Sequence, residues 1–308
     1  MIRPIFIFSM PRSGSTLLQT LLMSHNKISS HAEPWFLLNL VSLYGFEGTK
    51  SKFGYSALRV AVDDIIKSLK NQEKDMITYI RDFSLNIYQN LSDESAIYFL
   101  DKTPRYFFII DYISKIFPEA KFIFLTRNPL ETVASYIPQF NGSTIKSFDL
   151  YDFDFDEGFE AIVNGYNKYQ SKSILVRYED IVGENKEKVI QNIFEYLELE
   201  LDLSVFDKYK YQDLKGRMGD TNIQKTSSVQ KENEKWKTIV YSNHRKKTIL
   251  NILNKVTDDY YKLSHFNKEE VLNMLESHKT SFKIQDCKDY YLNAIRKNIK
   301  NQLGWCKY

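Results

Sequence analysis

The chain has 308 residues, and 43% of them are hydrophobic, which allows a sizeable core and excludes wholesale disorder. Its 42 Lys and Arg against 39 Asp and Glu leave a net charge of +3, compatible with an anionic small ligand but without the basic footprint of a nucleic-acid binder. Two cysteines, Cys287 and Cys306, make neither a disulfide framework nor a four-ligand zinc pattern.

Four short apolar runs predict strands: Pro4–Ser9 (PIFIFS), Ile97–Leu100 (IYFL), Lys121–Thr126 (KFIFLT) and Ser173–Tyr178 (SILVRY). None alternates with polar residues, as expected of strands buried on both faces of a parallel sheet. Helical periodicity lies between them, over Leu17–His25, Ser56–Asn90 with breaks, Tyr106–Phe117 and Phe159–Tyr169. Strands alternating with helices predict an α/β fold with a mainly parallel central sheet between helical layers. Its chemistry should sit on the loops after the strand C-termini. Residues 35–95 read as a helical insert, Glu184–Leu199 as a further helix, and 214–231 as a polar surface loop or lid. Everything beyond Trp236 reads as helical. From Lys279 to Tyr308, seven Lys and Arg stand against two Asp, with Tyr291, Ile295, Ile299 and Leu303 at four-residue spacing. That pattern predicts a packed amphipathic helix with a solvated basic face. No apolar stretch of bilayer-spanning length occurs, and the first apolar run is too short for a signal peptide, so a cytoplasmic protein is expected.

The first strand runs into "PRSGSTLL". Small residues at Ser13, Gly14, Ser15 and Thr16 let the backbone turn sharply and aim N–H groups at an anion, and the helix that follows adds its positive N-terminal end. A Walker A loop would carry Lys where Ser15 stands. The cation here is Arg12, whose planar fork suits two oxygens. An ordinary Gly/Ser turn is the bland alternative.

With its hydrophobic strand, "PRSGSTLL" resembles the 5′-phosphosulfate loop of sulfotransferases that use 3′-phosphoadenosine 5′-phosphosulfate (PAPS), in particular the tyrosylprotein and carbohydrate branch. Three further stretches follow in family order over residues 1–262. "FIFLTRNPLETVASY" places Arg127 at a strand end and Ser135 eight residues on, which the resemblance assigns to the 3′-phosphate. "LVRYED" offers Tyr178 to the adenine site. "TNIQKTSSVQKENEKWK" is similar to the loop that closes over the donor, with Thr221 and Lys235 as its contacts. Residues 263–308 match no part of the family pattern and read as a basic helical extension packed on this domain.

The resemblance further implies a P-loop-like sandwich, with PAPS as co-substrate and 3′-phosphoadenosine 5′-phosphate (PAP) as product. No metal should be needed, because Arg12 and Lys102 supply local cations and no Walker B partner for Mg²⁺ stands out. The general base is expected in "SSHAEPWF", with Glu33 preferred and His31 as its rival. Lys102 of "FLDKTPRY" should share with Arg12 the charge that builds on the leaving oxygen, while Asp101 and Arg105 are expected to orient that loop as an ion pair. The acceptor would be a hydroxyl (or amine) of a carbohydrate, lipid or small molecule. Trp35, Phe36, Tyr44, Phe46, Phe53 and Tyr55 would serve either its pocket or the core. A homodimer is compatible with this reading. Two alternatives stay open: a P-loop kinase, and a non-catalytic phosphonucleotide-binding module.

Overall fold

Five strands form the central sheet: β1 (Arg3–Ser9), β2 (Ile28–Ser30), β3 (Tyr98–Asp101), β4 (Lys121–Thr126) and β5 (Ser173–Arg177). The computed structural model describes residues 2–43, 55–139, 152–216 and 234–302. The strand order is β2-β3-β1-β4-β5, and every pairing is parallel, with Ile5 opposite Leu100 on one side of β1 and Phe6 opposite Phe122 on the other. The chain builds leftward from β1 to β2 and β3, then crosses to β4 and β5. That reversal opens a crevice at the C-terminal edge.

Both faces of the sheet are covered, which is why its strands do not alternate with polar residues. Phe6, Phe8, Phe122 and Phe124 point into one layer, against α5 (Ile110–Ile116), α8 (Asp152–Lys168) and α13 (Asn243–Lys255). Ile5, Ile7, Ile123 and Leu125 point into the other, against α1 (Ser15–Met23) and α10 (Lys186–Tyr196). Phe8 and Phe122 meet edge to face at 5.0 Å. Truncating either to Ala should cost about 3–5 kcal/mol through lost burial and the cavity left behind.

The helical insert contains α2 (Phe36–Ser42), α3 (Tyr55–Ser68) and α4 (Glu73–Leu91). Four elements depart from the sequence reading. Strand β2, the polar triplet ISS, carries no apolar run and exists through its pairing with β3. The run Ser173–Tyr178 stops being a strand at Arg177, because Tyr178 opens the short helix α9 (Tyr178–Ile181). The helix expected from Tyr106 is preceded by a 3₁₀ turn, Pro104–Ile109, with Pro104 at its start.

The fourth departure is the C-terminal helix, α16 (Ile284–Gln302). Of its expected apolar stripe, Tyr291 and Ile295 are not buried, while the Ile299 side chain and Leu303 lie outside the described residues. Asp286 and Asp289 face inward, and Asp286 pairs with buried Arg245 of α13, while Tyr291 and Ile295 face solvent. The buried guanidinium demands an acidic partner, and that demand sets the rotation of the helix. Among the described residues no helix is long and apolar enough to cross a membrane.

Candidate active site

Each strand delivers one of the singled-out residues within three positions of its C-terminal end: Arg12 after β1, Glu33 after β2, Lys102 after β3, Arg127 after β4 and Tyr178 after β5. Parallel strands place all five at one edge of the sheet.

The loop between β1 and α1 is the hub. Gly14 caps α1 in the left-handed region at φ 87°, and no side chain caps the helix. Its first-turn N–H groups are therefore available to an anion. A Cβ on Gly14 would lie 2.3 Å from the Tyr178 ring, so a larger residue cannot enter without moving that ring. Arg12 is also left-handed, at φ 71°, a conformation that costs about 1–3 kcal/mol for a non-glycine residue. Arg127 Nη1 donates to the Arg12 carbonyl at 2.9 Å and holds that turn. Ser15 and Thr16 begin α1, and Ser13 is fully buried.

On the β3 side, Lys102 is 1% exposed, and its Nζ donates to Glu33 Oε1 at 2.7 Å and to Thr16 Oγ1 at 3.3 Å. The other Glu33 oxygen accepts from the Trp35 indole at 3.1 Å. Trp35 is left-handed at φ 60°, and its N–H points at Thr103 Oγ1, 3.4 Å away. Thr103 donates in turn to Asp101. Asp101 also accepts from Tyr88 of α4 at 2.6 Å and from Tyr106 at 3.3 Å. Burial pushes the Asp101 carboxyl up to about 7, opposed by those hydroxyls and by the charge of Lys102. The expected Asp101–Arg105 ion pair is not formed. Arg105 instead pairs with Asp154 of α8 at 3.1 Å and lies over the rings of Phe153 and Trp35, because Asp101 is enclosed by hydroxyls.

His31, the rival base, turns its Nδ1 to the Ala32 carbonyl at 3.0 Å. The Ala32 N–H donates to the Lys215 carbonyl, and Gly216 packs on His31 and Ala32. The start of the predicted lid is thus joined to the segment carrying Glu33.

On the β4 side, the Arg127 guanidinium stacks on Tyr178 at 4.3 Å, while its Nε is buried without a hydrogen-bond partner among the described residues. An orphaned guanidinium donor beside an open helix N-terminus fits two anionic groups at separate points. Asn128 caps α6 (Pro129–Ala134), and half-buried Glu179 accepts the Asn128 N–H at 2.9 Å. Ser135 terminates α6, with its hydroxyl turned back to the Thr132 carbonyl at 2.8 Å. Lys235 is exposed at the first position of α12 (Lys235–Ile239), which packs against α6. Thr221, most of the lid, Tyr44, Phe46, Phe53 and the Tyr55 side chain lie outside the described residues. Phe36 packs on Tyr88 at 5.6 Å and belongs to the core.

Sequence reasoning missed Trp35 as an orienter of Glu33, Glu179 as a brace for the Arg127 turn, and Tyr260, whose hydroxyl accepts the Arg127 N–H at 3.4 Å. Only Glu179 carried a local signal, as the middle residue of "YED". Among the described residues no cluster of three His, Cys, Asp or Glu side chains is placed to hold a metal.

Residues 4–203 match the model of a sulfotransferase family. The nodulation protein NoeE of Sinorhizobium fredii is 36% identical over 131 residues, 42% of this chain and 30% of NoeE. Protein-tyrosine sulfotransferase 1 of Danio rerio is 25% identical over 230 residues, 72% of this chain and 59% of the relative. The chain therefore spans less than two thirds of the length of either relative. The sulfotransferase domain of the Synechococcus PCC 7002 olefin synthase shares the fold, with a TM-score of 0.57 at 21% identity over 86% of this chain and 94% of that domain.

Proposed function

This chain belongs to the sulfotransferase family, and from that membership we propose that it transfers a sulfuryl group from PAPS to a hydroxyl (or amine) of a carbohydrate, lipid or small-molecule acceptor. The bound donor supplies sulfur already activated by a phosphate leaving group, and PAP is the second product. On this reading residues 1–262 are the catalytic unit.

The observation that carries the reading is the Lys102 ammonium, buried between Glu33 and Thr16. One cation there touches both the expected base and the expected phosphosulfate loop. Glu33 takes the acceptor proton while the new oxygen–sulfur bond forms. Lys102 and Arg12 meet the charge left on the phosphate oxygen as the old sulfur–oxygen bond breaks, where a fixed cation in a dry site is worth most. Lys102 must exchange Glu33 for that oxygen, so arrival of the donor releases the base. The loop N–H groups of residues 13–16 hold the 5′ end. Arg127 and Ser135 hold the 3′-phosphate, and Tyr178, Thr221 and Lys235 complete the nucleotide site.

Calorimetry with PAP against ATP–Mg²⁺, followed by an acceptor screen with labelled PAPS in EDTA, tests the proposal. Tight PAP binding and EDTA-resistant transfer are expected. Preference for ATP–Mg²⁺, or transfer that Mg²⁺ restores, would overturn it in favour of a kinase.

A further inference from the structure

Helix α16 presents an exposed apolar stripe. Phe282 precedes the helix at 61% exposure, and Ile284, Tyr291 and Ile295 lie along its outer face at 79, 59 and 55%. Spacings of seven and four residues put the last three on one line about 16 Å long at 1.5 Å per residue. Lys288 sits on the same line.

The charges around this stripe are sorted. Between residues 279 and 295 the acidic side chains are Asp286 and Asp289, and each is 2% exposed. The cations are Lys279, Lys283 and Lys288, and all three are exposed. Exposed Lys247 of α13 adds a fourth cation, 5.1 Å above the Tyr290 ring. The outward surface of this segment is therefore apolar and purely cationic, although the segment as a whole contains both signs.

The face is also held rigidly. Arg245 is 2% exposed and fixes α16 through Asp286, with Nε at 2.9 Å. The connector before the helix is tied down by hydrogen bonds from Ser281 N–H to the Tyr241 carbonyl, from Asn243 N–H to the Ser281 carbonyl and from Lys246 Nζ to the His278 carbonyl. Phe282, Tyr290 and Tyr291 gather round His244 at 5.4–6.1 Å. Tyrosines with an apolar body and a polar tip suit the boundary between headgroups and acyl chains.

We propose that the outer face of α16, with Phe282 and Lys279, Lys283 and Lys288, docks on an anionic lipid bilayer surface, inserting Phe282, Ile284, Tyr291 and Ile295 at headgroup depth. Charge complementarity selects this occupant. A face carrying only cations repels its own copy across a two-fold axis, whereas acidic headgroups attract every charge it bears. This inference stands apart from the sulfotransferase reading.

Co-sedimentation of the full chain with phosphatidylcholine vesicles, with and without phosphatidylserine, tests it. Binding to the phosphatidylserine vesicles is expected, and it should weaken with added salt. Replacing Lys283 and Lys288 by Gln should reduce it about 25-fold, at about fivefold per basic residue near such a surface. Ile284→Ser, Tyr291→Ser and Ile295→Ser together should abolish it. These residues are exposed, so an unchanged thermal melt separates loss of binding from loss of fold. Failure of the parent chain to bind at low salt, equal binding to neutral vesicles, or full binding by either variant would overturn the proposal. A dimer in sedimentation equilibrium that the serine variant breaks, without vesicle binding, would assign the face to a second copy instead.

Discussion

The two sides of the β1 loop hold their cations differently, with Lys102 in a close 2.7 Å ion pair and Arg127 in a looser one at 3.8 Å. On the β3 side the charges cancel: Lys102 is paired with Glu33, and Asp101 is enclosed by three hydroxyls. On the β4 side Arg127 keeps an orphaned donor while it braces the Arg12 turn and stacks on Tyr178. The first arrangement stores reactive groups in mutual neutralisation, and each partner depends on the other. The second leaves the Arg127 Nε donor unsatisfied among the described residues, although Glu131 lies 3.8 Å from Nη2 of the same side chain. Under the proposed function, the difference separates a reacting side, whose groups must change partners, from a gripping side that holds the donor.

The largest expected effect falls on the reacting side. Glu33→Gln should lower turnover about 10²- to 10⁴-fold, the usual worth of a general base, while PAP affinity stays nearly unchanged. Initial rates with labelled donor and calorimetry with PAP check the pair. Unchanged turnover would move the base to His31 or elsewhere, and equal losses in rate and affinity would erase the distinction between the two sides.

A pH effect comes next. The native state holds the Asp101 proton up to about pH 7, whereas the unfolded chain releases it near pH ~4. Stability should therefore fall by a few kcal/mol as pH rises between those values, and Asp101→Asn should flatten that fall. Urea unfolding of both proteins at pH 5 and 8, read as a difference between them, measures it. A parallel pH dependence in the two would show that Asp101 ionises at its ordinary value.

On the gripping side, Arg127→Ala should weaken PAP binding by about 2–3 kcal/mol, the order for a lost charge-assisted contact, and should leave the Glu33 step intact. Binding equal to the parent would reject the assignment of Arg127 to the 3′-phosphate. The smallest effect expected is from Gly14→Ala. Left-handed alanine costs about 1–2 kcal/mol, and its methyl would displace the Tyr178 ring. A lower melting temperature together with weaker PAP binding is predicted. A lower melting temperature alone would show that Tyr178 does not contribute to the grip.

Much of this was legible in the chain because parallel α/β folds put chemistry where apolar runs end. Arg12, Lys102 and Arg127 each follow a run that reads as a strand, Tyr178 ends one, and the fold turns those positions into one edge. Glu33 was singled out only through the family resemblance, because the strand that positions it, ISS, has no apolar signature and pairs with β3. Arg105 was misassigned for a related reason. It lies four residues from Asp101, yet its partner Asp154 lies 49 residues away in sequence.

The sequence by itself determined the layers of the fold, the small-residue loop with Arg12 before it and no Walker A lysine, and the order of the family motifs. These depend on local periodicity and on neighbours along the chain. Tertiary structure alone decided which charges neutralise one another. Lys102 meets Glu33 across 69 residues, and Arg127 reaches the Arg12 carbonyl across 115. It also decided which face of α16 meets solvent, because one buried arginine required an acidic partner and turned the helix to supply it. Burial and pairing are properties of the packed molecule, and periodicity cannot encode which of two amphipathic faces finds the better partner.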